Sequence, residues 1–450
     1  MQPAFQVKPL LEAAIRMQSS GRLQEAAQLC ERALAMHPEH VDAMNVLAQV
    51  LQQAGQHGHS EQILRRALQR SPNHATSYVN ITSVLNAQGK FEEAVALSEE
   101  GLRRFPDNKL LVNNLAVNLD AAGRYDEAVA LLQRRIKAYP KHAGGHYHLG
   151  ILYRKLGRIE EALGYFREAA KLDARNIQAL TASADCLLRL ARPEDALLPL
   201  EAALRLNPYH VRALALKTVA LAGAGKADEE RWLADPHRLV QAVHFSELGC
   251  GPDELRALNS RLSAFASSHP SMRIDPPENA TYNGAHSGNL AGEPEPALMR
   301  LKELISHALK RRRETLSAED PAHPFRRALP PAFALHLWSV QLSAGGNMTP
   351  HIHTDGWLSG VYYVDVPEIV NDPGAGQAGW IRFGVPLPEH AMALAPMTRA
   401  VKPEPGLMIT FPSYFWHATV PLPTETQQRL CYSYDLQPRP APIAGPFAIA

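Results

Sequence analysis

His353 and Asp355 stand one residue apart in Pro350-His351-Ile352-His353-Thr354-Asp355-Gly356-Trp357, at the lip of a β-rich run. Residues two apart on an extended chain leave the same face. An imidazole and a carboxylate so placed can both reach one metal ion. A third donor has to come from far along the chain, and His417 in Phe411-Pro412-Ser413-Tyr414-Phe415-Trp416-His417 offers it. Two histidines and a carboxylate around open positions favour non-haem Fe(II) and oxygen chemistry. His351 competes with His353 for the same role, but only His353 has the carboxylate at the right offset, which leaves His351 as a turn residue beside the site. Arg429 follows on the next strand with Cys431 and Ser433 on its face. A guanidinium there can clamp a carboxylate bidentately. The spacing alone identifies nothing: His40-Val41-Asp42 repeats it where Asp42 reads as a helix start.

The elements that must position these side chains are short strands separated by Gly and Pro turns, at 334–343, 359–364, 379–384, 406–411, 417–421 and 428–435. Strands of this length and spacing predict an antiparallel sandwich or barrel. A double-stranded β-helix, or jelly roll, is the version that gathers the three ligands at one mouth. Upstream, 237–245 reads as a strand, and 252–266 and 296–313 read as helices. The second carries Leu298, Leu301, Leu304, Ile305 and Leu309 at helical spacing. Its basic end, Lys310 to Arg313, is expected to be a solvated helix C-terminus favoured by the macrodipole. Trp357, Tyr362 and Tyr363 are strand and core residues, one of the two tyrosines facing inward. Trp338 and Trp416 read as structural.

The first half has a different texture. Gly21, Gly55, Gly89, Gly123 and Gly157 recur every 34 residues, Ala191 and Gly225 continue the count, and Pro38, Pro72, Pro106, Pro140 and Pro208 keep the same period. Such self-similarity predicts a helical solenoid in which Gly makes the turn between two helices and Pro follows the second. Six clear units run from about Val7 to His210, with a degraded seventh after Gly225 as a cap. The period fails after Ala227, and Asp235-Pro236 stops any helix. Two domains are therefore expected, 1–234 and 235–450, in keeping with a 450-residue chain too long for one ordinary core.

Charge narrows the partners. Lys plus Arg number 46 against 45 Asp plus Glu, so no whole-chain field recruits nucleic acid or an anionic membrane. Cys30, Cys186, Cys250 and Cys431 show no paired spacing, which argues against a disulfide framework or zinc cluster and fits a reducing compartment. With no stretch near the roughly 20 apolar residues that span a bilayer, a cytoplasmic location is expected.

The repeat units resemble the tetratricopeptide repeat: between Gly144 and Ile177, residues Leu149, Gly150, Tyr153, Gly157, Ala162, Phe166 and Ala169 alternate small and large where two helices interlock. Solenoid curvature makes a concave surface fit for an extended peptide. Asn80, Asn114 and His148 recur at one helix position and resemble the asparagine ladder with which some such arrays hold peptide backbone, although Val46 and Ala182 break the row. Downstream, Gly345-Gly346, Pro350 to His353, Gly356 to Val364, Phe411-Pro412-Ser413, His417 and Arg429 resemble the bacterial Fe(II)- and 2-oxoglutarate-dependent oxygenases that often follow tetratricopeptide arrays. That resemblance implies iron held by His353, Asp355 and His417, the distal carboxylate of 2-oxoglutarate held by Arg429, and O2 as oxidant. It implies a dioxygenase that hydroxylates a protein or peptide side chain delivered by the repeats. A scaffold that only senses 2-oxoglutarate and a small-molecule oxygenase are the rival readings, separated from the first by succinate formation and by the molecule oxidised.

Overall fold

The computed structural model describes residues 4–275, 280–390, 393–423 and 428–439. Helix pairs follow the 34-residue period, from Ala4–Ser19 with Leu23–Met36 to Val211–Gly223 with Ala227–Ala234. At each turn the period glycine takes a left-handed conformation, with φ between 69° at Gly225 and 77° at Gly21. Only Gly visits this region without steric cost. Ala191 adopts φ 54° in the same place, so that turn holds its shape at the expense of local strain. Inside the pairs Leu149, Ala162, Phe166 and Ala169 are fully buried, the interlock that their sizes imply.

By its contacts the chain divides into two compact units, Met1–Asp173 and Ala174–Ala450. The helices Ile177–Arg189, Pro193–Leu206, Val211–Gly223 and Ala227–Ala234 keep the repeat period but belong to the same compact unit as the sheets.

The strands of the second unit are β1 (Gln241–His244), β2 (Arg273–Ile274), β3 (Thr281–His286), β4 (Ala332–Met348), β5 (Leu358–Asp365), β6 (Ile381–Phe383), β7 (Arg399–Val401), β8 (Leu407–Pro412), β9 (His417–Thr419) and β10 (Arg429–Arg439). Among the described residues they form a seven-stranded sheet, β1-β8-β5-β10-β4-β3-β2, and a three-stranded sheet, β7-β6-β9, and the pairings are antiparallel. The last strand thus lies inside the larger sheet, between β4 and β5. Helices Pro252–Ser268 and Pro296–Ser317 bury Leu258, Leu262, Leu301, Leu304 and Ile305.

Two expectations change. The segment 237–245 is extended only from Gln241, because Pro236–Leu239 forms a helical turn capped by the Asp235 carboxylate. The second helix runs on to Ser317, so Lys310 to Arg313 are not its end. Arg312 is buried there: its guanidinium donates to the Leu239 carbonyl at 2.6 Å and lies over the Phe325 ring. Burial pulls its pKa down to about 10. The basic run therefore contains a core residue, not only a solvated cap.

Candidate metal centre

Three imidazoles converge at the junction of the two sheets. β4 ends at Met348, Pro350 cannot donate a ladder hydrogen bond, and His351 then exchanges both backbone hydrogen bonds with His417 across an antiparallel bridge. Two residues on, the His353 amide donates to the Ser413 carbonyl. The chain can turn back beside Ser413 because residue 356 is glycine: a Cβ there would come within 2.5 Å of the Ser413 hydroxyl. The main chain thereby sets two near neighbours against one distant residue.

Ring centroids are 4.1 Å apart for His351 and His417, 5.1 Å for His353 and His417, and 5.2 Å for His351 and His353. One ring nitrogen of each lies within 4.8 Å of one from each of the others. The second nitrogen is spoken for. His351 Nδ1 donates to the Thr349 carbonyl at 2.8 Å, His417 Nδ1 to the Phe415 carbonyl at 3.0 Å, and His353 Nδ1 to the Asp435 carboxylate at 2.7 and 2.9 Å. Carbonyls and carboxylates only accept, so each Nδ1 carries the proton and each Nε2 presents a lone pair. His353 Nε2 is buried and has no partner. Burial and the charge of neighbouring imidazoles push the His351 pKa down to about 3 and that of His417 well below its ordinary value. Three imidazoles whose Nδ1 atoms are each tied to an outside acceptor and whose Nε2 atoms turn toward one another are the arrangement found around bound metal ions.

Asp355 is not among the converging groups. It is exposed on the turn after His353, and His351 occupies the third place in its stead. The one-residue offset was satisfied by His351-Ile352-His353 as well as by His353-Thr354-Asp355; the bridge to His417 draws the first pair inward.

Asp435 is not among the residues that motif and spacing single out. It is 7 % exposed and accepts from His353 and from the Ser359 hydroxyl, which is also bonded to Ser413. Its signal was present in the alternation of β10, because residues 429, 431, 433 and 435 share one face. Trp338 reads as structural from the sequence, yet its ring stacks on His353 at 5.7 Å and lines the adjoining cleft. Phe411 lies 4.6 Å from the His417 ring and walls the other side.

Arg429 is 1 % exposed. It donates to the Gly379 carbonyl at 2.6 Å, its guanidinium stands 5.7 Å from the Tyr363 ring, and its Nε is buried without a partner. No acidic residue pairs with it among the described residues, so a carboxylate from outside the chain would complete it. Tyr363 is therefore the inward tyrosine. Tyr362 turns to the helical side, where its hydroxyl donates to Asn259 and its ring stacks on Phe245. Burial raises the pKa of Cys431, whose Sγ points to the Val340 carbonyl.

A cleft of about 590 Å³ opens beside His351 and His353, lined also by His286, His336, Trp338 and Asp355.

The expected polar row in the repeats is not an open one. Asn80 is buried, donating to Asn45 and accepting from Gln49, and Asn114 donates to the Val79 carbonyl and the Thr82 hydroxyl. Both amides knit one repeat to its neighbour. His148 is partly buried against Tyr147, which lowers its pKa.

Residues 336–435 match the family described as "Putative 2OG-Fe(II) oxygenase", and residues 18–81, 85–148 and 143–176 match tetratricopeptide repeat families. The oxygenase match encloses His351, His353, His417, Arg429 and Asp435. The chain joins tetratricopeptide repeats to a domain of that description, the fusion that the sequence resemblance implied. No curated protein matches the chain. Among solved structures, YrrB, described as a TPR protein with an unusual peptide-binding site, is 22 % identical over 42 % of this chain and 98 % of its own, with a TM-score of 0.31. A tetratricopeptide repeat protein from Parabacteroides merdae is 14 % identical over 50 % and 89 %, with a TM-score of 0.40. The pilF protein of Pseudomonas aeruginosa is 17 % identical over 47 % and 96 %, with a TM-score of 0.38. Among the described residues no helix is long and apolar enough to cross a membrane.

Proposed function

We propose that this chain is an Fe(II)- and 2-oxoglutarate-dependent dioxygenase that hydroxylates a side chain of a protein or peptide, and that His351, His353 and His417 hold the metal. The observation that carries the reading is the set of three imidazoles, each with its Nδ1 proton committed elsewhere; a buried arginine that lacks an acid lies on β10, the strand that also carries the His353 partner Asp435. The donor set fits iron: imidazole suits it, and three protein ligands leave positions open. Iron held there would supply oxygen activation coupled to conversion of 2-oxoglutarate into succinate and carbon dioxide.

The chain's own residues do the rest. Asp435 keeps the proton on His353 Nδ1 and fixes that ring's orientation, while Ser359 and Ser413 fix Asp435. Arg429 would take the distal carboxylate of 2-oxoglutarate, with Tyr363 beside it. The face of β10 that carries Arg429, Cys431, Ser433 and Asp435 leads from that arginine to the His353 partner. Phe411 and Phe383 pack against His417 and keep water from it, and Trp338 stacks on His353, while the cleft leaves His351 and His353 open on one side. The double-stranded β-helix is compatible with the two antiparallel sheets. Tetratricopeptide repeats commonly bind proteins or peptides, which makes a polypeptide the favoured substrate; four cysteines without paired spacing favour a cytoplasmic setting.

Anaerobic titration with Fe(II) and then 2-oxoglutarate tests the assignment through the weak visible charge-transfer band of the chelate. His351→Ala, His353→Ala and His417→Ala are each expected to abolish the band and succinate formation, whereas Asp355→Ala keeps the band. A band that survives in His351→Ala and is lost in Asp355→Ala would restore the two-histidine, one-carboxylate set.

A further inference from the structure

We propose that the cleft beside His351 and His353 selects a basic peptide, placing the cationic head of a lysine or arginine against the Asp355 carboxylate. The inference rests on the oxygenase reading for taking this cleft as the place where substrate lies.

Charge is the first observation. The described residues that line the cleft include two carboxylates, Asp355 and Asp435, and no lysine or arginine. Asp435 is occupied by His353 and Ser359. Asp355 is exposed at the rim and has no partner among the described residues. Because His351 stands in the converging set where Asp355 was expected, this carboxylate is left uncommitted beside the site.

Shape and surface are the second. Met348 and Ile352 give the cleft an apolar wall, and Trp338 adds an indole ring. Aliphatic surface suits the methylene stem of a long basic side chain, and an aromatic face attracts the cation at its end. An acidic peptide would meet Asp355 with no lysine or arginine in the lining to pair it, so the same arrangement selects against the opposite charge. A neutral peptide would gain the apolar wall and nothing from the carboxylate.

The test uses the full chain loaded with Co(II) and 2-oxoglutarate in the absence of oxygen. It is titrated calorimetrically with acetyl-Gly-Ala-Lys-Ala-Gly-amide and its norleucine counterpart, then with the arginine peptide and its citrulline counterpart. The charged member of each pair should bind about 3-fold to 10-fold more tightly at low salt, and the advantage should shrink as salt is raised. Asp355→Asn should bring each ratio close to one. Equal affinities within the pairs, a ratio that survives in Asp355→Asn, or no binding by any of the four peptides would each overturn the proposal. Failure of Co(II) to bind the unmodified chain would instead overturn the metal assignment, and the same titrations on metal-free protein would still decide the charge preference.

Discussion

Helices of the same period play two different parts. In the first compact unit the polar side chains of the repeats bond to other repeats: Asn45 to Ser77, Asn80 to Asn45, Asn86 to Asn118, and Asn118 to Ser98. In the second unit the polar groups of Ile177–Arg189 to Ala227–Ala234 bond to the loops around the sheets. Asp185 accepts from His390 and Arg189, Tyr209 donates to the Trp357 carbonyl at 2.6 Å, Ala215 accepts from Trp416, and Leu233 accepts from Tyr414. Trp416 directly precedes His417, and Trp357 lies four residues after His353. A repeat can keep its internal pattern while its outer face changes allegiance, so the end of a period does not mark the end of a folding unit.

Substitutions can break this contrast or sharpen it. Asp185→Ala should have the largest effect, about 3 kcal/mol on unfolding of the second unit, because it strands His390 in a fully buried position and removes a partner of Arg189. Denaturant unfolding followed by tryptophan fluorescence measures it; a loss under about 0.5 kcal/mol would mean that the helix does not hold the loop. Asn118→Ala should cost about 2 kcal/mol in the first unit, since Asn86 and Ser98 lose a buried partner, without changing metal affinity. Weakened metal binding in that variant would show that the front repeats also support the site. Tyr209→Phe should cost about 1 kcal/mol yet loosen the Trp357 turn, so metal affinity should fall more than stability predicts. Calorimetric metal titration against thermal unfolding separates the two.

The repeats were legible because each unit repeats the same glycine, and a left-handed turn reports directly on one residue type; even Ala191 was placed correctly by the period alone. Six of the strands were also legible within a few residues, since Gly and Pro bound them. β2, β3 and β7 were not: the first two lie next to a loop-rich stretch, and Arg399–Val401 is too short to show alternation. Of the three converging imidazoles, His353 and His417 could be picked out by type and spacing. The choice between His351 and Asp355 could not, because both sit at the same offset and only the bridge to His417 separates them. Asp435 lies 82 residues from its partner, a separation that no local pattern encodes.

The place of β10 has a consequence for how the molecule is made. The strand that comes last in chain order among the described residues enters the middle of the larger sheet and brings both Arg429 and Asp435 with it. Until then β4 and β5 have no common neighbour, and the three imidazoles lack the carboxylate that orients one of them. A chain cut between His417 and Arg429 would carry all three imidazoles yet lack the carboxylate that holds the His353 Nδ1 proton, so the converging set is finished only when β10 has paired with β4 and β5.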